Sequence, residues 1–324
     1  MTVRQLKTQE ELDAYDEWIS SHPNRSLWQS LAWKTYQESL GKDVRIYVSG
    51  TEKIDCAGLV IPDTTTLGLS TWDIPYGPLW GENVSAQTAE AFVTDVAQIA
   101  SREKCISLYV SCPVRSLSVG KVSGRYVYPE ATLIVDLTVS EEELLARMKP
   151  KGRYNIKVGQ KHGIAVRESD DIDAFIALHA GTAKRDNFIT PLSESYRHFL
   201  RNLEGSFLLF AYIPEKTDPI AGLLGVIWEN EAIYYYGASD HAHRAIMAPY
   251  VLQWETLRFC KRKGAISYDL FGVTPNNTSH HPWAGVTAFK EKFGGQYVEF
   301  PPERMLVFKP AMHHLLNLKR KIFH

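Results

Sequence analysis

Apolar and polar positions alternate in short runs along this chain, and the same order of runs occurs twice. In the first half, extended segments are predicted at Asp43–Ser49, Cys56–Asp63 and Leu67–Ile74. A helix at Ala86–Arg102 follows and leads into a strand at Cys105–Ser111. In the second half, strands are predicted at Ser206–Ile213, Ile220–Trp228 and Ile233–Ser239. A helix over Pro249–Lys263 then leads into an extended run, Ala265–Val273. That helix gathers Arg258, Lys261, Arg262 and Lys263 at its C-terminal end, and Gly264 stops it. Ala57-Gly58-Leu59 matches Ala221-Gly222-Leu223, and Ile106-Ser107 matches Ile266-Ser267, each pair separated by roughly 160 residues. Two αβ units of one design are therefore expected.

Length agrees with this, since 324 residues is about twice a single-domain chain. With 44% hydrophobic and 23% charged residues, the composition is globular. Lys and Arg total 36 against 37 acids, which excludes a uniformly basic nucleic-acid coat but not local patches. The longest apolar stretches are strand-sized, far short of the ~20 residues of a spanning helix. The polar start, MTVRQLKTQEELDAYDEW, lacks the apolar centre of a signal peptide, so a soluble, cytoplasmic protein is expected. Cys56, Cys105, Cys112 and Cys260 form no CxxC pair and read as reduced, buried thiols. The pairs His280-His281 and His313-His314 read as structural or surface residues, because adjacent side chains on a strand face opposite ways. No metal and no cofactor is expected.

Charge is unevenly placed. Between Glu143 and Glu168 there are seven cations and no acid. Arg153, Lys157 and Lys161, at i, i+4 and i+8 of a predicted helix, are candidate contacts for a phosphate-rich partner, RNA or a nucleotide. After Glu303 a second basic segment carries Arg304, Lys309, Lys319, Arg320 and Lys321 among Met312, Leu315, Leu316 and Ile322. It is expected to pack as a terminal helix, with peripheral contact to the inner membrane surface as the alternative. Three strands, a helix start and a further strand resemble the core of GNAT acyltransferases. Those enzymes bind the acetyl-CoA pyrophosphate on a loop of the form R/Q-x-x-G-x-G/A. Here that segment reads Arg244-Ala-Ile-Met247-Ala-Pro249, which disfavours acetyl-CoA.

Three stretches taken together resemble the Fem family, the aminoacyl-tRNA-dependent transferases that build peptidoglycan cross-bridges. They are MKPKGRYNIKVGQKHGI (148–164), YYYGASDHAHRAIMAPYVLQWETLRFCKRKGAISYDLFGV (234–273) and HPWAGVTAFKEKFGG (281–295). TAKRDNF (182–188), QSLAWK (29–34) and IPYGPLW (74–80) support them. The resemblance implies an α/β (α+β) fold of two tandem GNAT-like domains, with mixed sheets flanked by helices. Their expected extents are 1–139 plus a returning tail at 302–324, and 140–301. No heptad insertion is present, so the chain is similar to the family's short branch, without the helical hairpin arm. That branch is similar to enzymes acting on a UDP-linked muramyl pentapeptide, whereas hairpin-bearing relatives use the lipid-linked precursor.

The implied reaction is aminolysis of the aminoacyl-tRNA ester by an amine of the stem peptide. Lys290 matches a family position proposed to stabilise the developing oxyanion, and Phe289 would support a stacked terminal base or fill core. Lys34 and Arg185 resemble residues that grip the UDP diphosphate. Tyr76 and Tyr236 lie on segments expected to line the substrate cleft. Some relatives carry an Asp before the Pro where this chain has Cys112-Pro113, so the general base is unassigned. Two other readings remain: a GNAT-fold acyltransferase with another acceptor (an exopolysaccharide or a protein), and a non-catalytic nucleotide- or RNA-binding relative.

Overall fold

The computed structural model describes residues 3–51, 53–65, 68–82, 84–125, 127–186, 188–214, 216–276, 278 and 281–323, with side chains to residue 319. The chain divides into two compact units, Met1–Glu130 with Phe300–His324, and Ala131–Glu299. The sequence reading kept 131–139 with the first unit and 300–301 with the second. Residues 131–136 instead form a strand paired inside the second unit's sheet, which moves the boundary forward.

The first unit contains β1 (Arg4–Gln5), α1 (Gln9–Ser21), α2 (Leu31–Ser39), β2 (Arg45–Ser49), β3 (Cys56–Thr64), β4 (Ser70–Ile74), β5 (Leu79–Trp80), α3 (Ala86–Arg102), β6 (Cys105–Val110) and β7 (Lys121–Val122). After the second unit the chain returns as β15 (Arg304–Val307) and α10 (Pro310–Phe323). Among the described residues the strand order is β1-β2-β3-β4-β6-β15-β7, with β5 on β3. β4 and β6 run parallel, which needs a crossover, and α3 supplies it. Phe92, Val93, Val96 and Ala100 of α3 cover Trp72, Leu108 and Val110 of the sheet. α1 starts on a reciprocal capping box between Thr8 and Glu11, worth about 1 kcal/mol.

The second unit contains β8 (Ala131–Asp136), α4 (Glu141–Arg147), α5 (Pro150–Lys161), β9 (Ala165–Ser169), α6 (Ile172–Asp186), α7 (Ser193–Asn202), β10 (Ser206–Tyr212), β11 (Ala221–Trp228), β12 (Glu231–Ser239), α8 (Ala248–Arg262), β13 (Ser267–Asp269), α9 (Ala284–Lys290) and β14 (Gln296–Glu299). Its strand order is β14-β8-β13-β12-β11-β10-β9. β12 and β13 are the parallel pair here, joined through α8. The series β2-β3-β4-α3-β6 thus recurs as β10-β11-β12-α8-β13, as the sequence repeat predicts. One element is shorter than expected: β13 ends at Asp269, because the chain turns away through Phe271 and Gly272 at φ 53° and 46°. That early exit shapes the site.

Candidate active site

β12 and β13 are hydrogen-bonded only where Glu231–Ile233 faces Ser267–Asp269. Beyond that point β12 continues to Ser239 paired with β11 alone. It carries a bulge, since Leu224 and Gly225 of β11 oppose Tyr236 and Tyr234 and leave Tyr235 over. The Tyr235 ring stacks on Phe271 at 5.1 Å, which props the departing chain against β12.

Lys290, the last residue of α9, fills this divergence. Its Nζ donates to the carbonyls of Phe271 and Gly272, the latter at 2.9 Å, and lies 5.3 Å from the Tyr234 ring centre. The side chain is buried, and burial pushes its pKa down to about 7 although Asp269 opposes the shift. Burial likewise raises the Asp269 carboxyl, against hydrogen bonds donated by Thr132 and by the Phe271 N–H.

Phe289, one residue earlier, faces a cavity of about 330 Å³ at the start of α8. Tyr250 packs beside it at 5.1 Å; Arg185, His241, Arg244 and the pair His243–Asp240, 2.7 Å apart, supply the polar wall, in which the two arginines outnumber the one acid. Met247 stands where the GNAT loop would have glycine, yet it adopts the left-handed φ of 60° that glycine favours. No side chain caps α8, so its N-terminal N–H groups and dipole favour an anion there. Arg185 is tied to Asp186 at 2.6 Å and to the Ser239 carbonyl at 3.1 Å, which fixes its guanidinium on the wall. Lys290 itself does not line this cavity.

Tyr236 sits in an aromatic cluster, 5.0 Å from Tyr196 and 5.9 Å from His179. Nδ1 of His179 is 3.1 Å from the Tyr196 hydroxyl. Burial lowers the His179 pKa to about 4, so the ring is neutral at neutral pH.

In the first unit Lys34 pairs with Glu38 at 2.5 Å, one helical turn away. Tyr76 is buried at φ 45°, with its hydroxyl donating to the Pro129 carbonyl at 3.1 Å and its ring against Trp28 at 4.3 Å. Gln29 positions this turn: its amide donates to the Pro75 carbonyl at 2.6 Å and accepts from the Leu59 N–H at 2.7 Å. A Cβ on Gly77 would meet the Gln29 amide at 2.5 Å and push it off these two hydrogen bonds. Sequence reasoning did not single out Gln29; its place in QSLAWK was the available signal.

Tyr76 and Cys112 share a crevice of about 10 Å³, roughly one water's worth. Burial pushes the Cys112 thiol up, so it is no thiolate base. Beside it Arg125 joins Glu303, at 2.6 and 2.9 Å, to Asp73, with its guanidinium 3.4 Å from the Tyr109 ring centre. The sequence reading missed this network, whose members are 52 and 178 residues apart.

α5 forms where the basic segment predicts a helix, but its three named cations differ in state. Arg153 donates to the carbonyls of Leu145, Ala146 and Met148 and so caps the end of α4. Lys157 and Lys161 are exposed, and Tyr154, one turn before Lys157, is 59% exposed with Lys151 5.0 Å from its ring centre. The available stripe is therefore Lys151, Tyr154, Lys157 and Lys161 rather than the predicted one through Arg153. Gly152 explains part of the motif, since a Cβ there would lie 2.4 Å from the Lys292 carbonyl. Lys149 adds a bond to the same carbonyl and an ion pair with Glu291 at 2.5 Å. α5 thus buttresses the turn that follows Lys290.

Among the described residues no group of three His, Cys, Asp or Glu is placed to hold a metal, and no helix is long and apolar enough to cross a membrane. All four cysteines are free and buried. His280 lies outside the described residues, as do the side chains of Arg320, Lys321 and Ile322.

Two GNAT-like units, one with its parallel strands parted around a buried lysine beside a cationic helix start, define an acyl-transfer scaffold. The solved tandem GNAT protein of the clavulanic acid biosynthesis pathway shares this fold at a TM-score of 0.58 and 12% identity, covering 95% of this chain and 98% of that one. The crystal structure of FemX matches at 0.78 and 16% identity, over 97% of this chain and 99% of FemX. The family model described as FemAB family matches residues 121–217 and 214–321, so the chain belongs to the FemAB family. The Lipid II:glycine glycyltransferase of Staphylococcus epidermidis is 21% identical over 389 aligned positions, covering 94% of this chain and 93% of the relative. The aminoacyltransferase FemA of Staphylococcus aureus is 30% identical over 82 residues, 25% of this chain and 20% of FemA. The resemblance read from the sequence is borne out, and the protein is a transferase.

Proposed function

We propose that this chain moves an amino acid from aminoacyl-tRNA to an amine of a peptidoglycan-precursor stem peptide, UDP-linked or lipid-linked, by direct aminolysis. Its relatives' names, a glycyltransferase on lipid II and an aminoacyltransferase, support the reaction class. The observation that carries the reading is the neighbouring pair Phe289 and Lys290, one facing the cationic cavity and the other filling the β12–β13 divergence.

The amine nitrogen attacks the ester carbonyl, the new C–N bond forms, and the C–O bond to the 3′ ribose breaks. The proton lost by the amine balances the one gained by the ribose oxygen. The ester is already activated, so positioning and oxyanion stabilisation suffice. Lys290 supplies a donor held between two carbonyls, with a third N–H for the developing negative charge. Arg185 at the uncapped start of α8 keeps the reading of a grip on the UDP diphosphate, Arg244 beside it suits a terminal phosphodiester of the donor, and the Phe289 ring offers a stacking face for its base. The exposed Lys151, Tyr154, Lys157 and Lys161 stripe would hold more distant phosphates. Lys34 and Tyr76 carry the acceptor reading in the first unit, and Tyr236 in the second. No metal or cofactor enters, and a tRNA donor puts the reaction in the cytoplasm.

The test is transfer from a pool of radiolabelled aminoacyl-tRNAs to UDP-linked muramyl pentapeptide, with the lipid-linked precursor as a parallel acceptor. Label reaching either acceptor only with intact RNA supports the reading. Transfer from an acyl thioester that survives RNase would overturn it, and unchanged single-turnover transfer by Lys290→Met would overturn the role given to Lys290.

A further inference from the structure

α10 is tied to the first unit's sheet through His313, whose Nδ1 lies 2.8 Å from the Ser107 hydroxyl, while Asn317, one turn on, holds His313 Nε2 at 2.9 Å. At 100° per residue, Met312, Leu315 and Leu318 fall on the side away from His313 and Asn317. These three are 37%, 58% and 43% exposed, an aliphatic stripe turned to solvent. Lys319 stands at its C-terminal end, Lys309 lies just before the helix, and the sequence holds no acid after Glu303.

We propose that α10 is a docking helix for an anionic phospholipid surface, with Met312, Leu315 and Leu318 entering the headgroup–acyl boundary and Lys309 and Lys319 meeting the headgroup phosphates. The charge selects an anionic partner. The aliphatic stripe selects lipid over RNA, which would call for rings or planar cations to stack on its bases. One short amphipathic helix binds weakly and reversibly, so the contact concentrates the protein at a bilayer without inserting it. This inference does not depend on the proposed reaction, and its test uses no substrate.

The experiment is co-sedimentation of the full chain with vesicles of phosphatidylcholine containing phosphatidylglycerol, and with phosphatidylcholine alone. Binding is expected only to the anionic vesicles, falling as salt rises. Leu315→Asp combined with Leu318→Asp should cut it by about tenfold or more, since each replaces an aliphatic side chain that enters the bilayer with a charge that the anionic surface repels. Both sites are exposed, and an unchanged circular dichroism spectrum checks folding. Hydrogen exchange of wild-type α10 should slow when anionic vesicles are added. Equal binding to both vesicle types, no binding, or a self-association abolished by the double variant would each overturn the proposal, the last by assigning the face to a second copy of this chain.

Discussion

The Lys290 amine donates a 2.9 Å hydrogen bond to the carbonyl of Gly272, closing a loop of 18 residues around the gap between β12 and β13. A buried amine in that place is both a catalytic candidate and a cost to folding. Folded, its pKa is pushed down to about 7; unfolded, it returns to about 10.5. Between those values the unfolded chain binds more protons, so stability should rise with pH, by up to about 1.4 kcal/mol per pH unit. Lys290→Met should remove that slope and leave overall stability within about 2 kcal/mol, while transfer is lost. Urea unfolding at pH 7.5 and 9.5, beside single-turnover assays, measures both.

His179 acts on the acid side. Its folded pKa is about 4 against 6.5 for a free ring, so the unfolded chain takes up the proton first as pH falls. Stability should be unaffected above pH 6.5 and decline below it, by up to about 3 kcal/mol at pH 4. Thermal unfolding across that range, with His179→Gln losing part of the decline, checks the assignment.

Arg125 holds Asp73 and Glu303 together in the first unit. Arg125→Met should destabilise by about 3 kcal/mol or more, because two buried carboxylates lose their counter-ion. Adding Asp73→Asn and Glu303→Gln should recover much of the loss. Denaturant midpoints of the single and triple variants decide it.

Gly152 and Gly181 both lie in helices but should respond oppositely to alanine. A Cβ at Gly152 would press on the Lys292 carbonyl, so Gly152→Ala should cost about 1–3 kcal/mol and impair transfer by moving α9. Around Gly181 nothing lies within 4 Å, and Gly181→Ala should stabilise by about 0.5–1 kcal/mol. Calorimetry of the two variants is sufficient.

The order of strands and helices was legible because each element's apolar spacing is local: α3 runs over the predicted Ala86–Arg102, and β10, β11 and β12 fall within one or two residues of expectation. Phe289-Lys290 was legible as a candidate because resemblance marks positions. What could not be read is what depends on meeting in space. Arg153 looked like one of three equivalent cations, yet the end of α4 takes its guanidinium. Lys290 was marked by resemblance, but its burial to 7% exposure and its two carbonyl partners depend on the turn at Phe271 and Gly272. Gln29 and the Arg125 cluster act across strands far apart in sequence, beyond the reach of periodicity.

β15 pairs with β6 and β7 in the first sheet, although the whole second unit lies between them in the chain. During synthesis the first unit therefore leaves the ribosome with a strand position vacant and Arg125 still lacking Glu303. The second unit has every strand of its own sheet before residue 300 and can fold while its host waits. A chain cut short soon after residue 300 and released should carry a protease-resistant second unit attached to a first unit that is still open to cleavage.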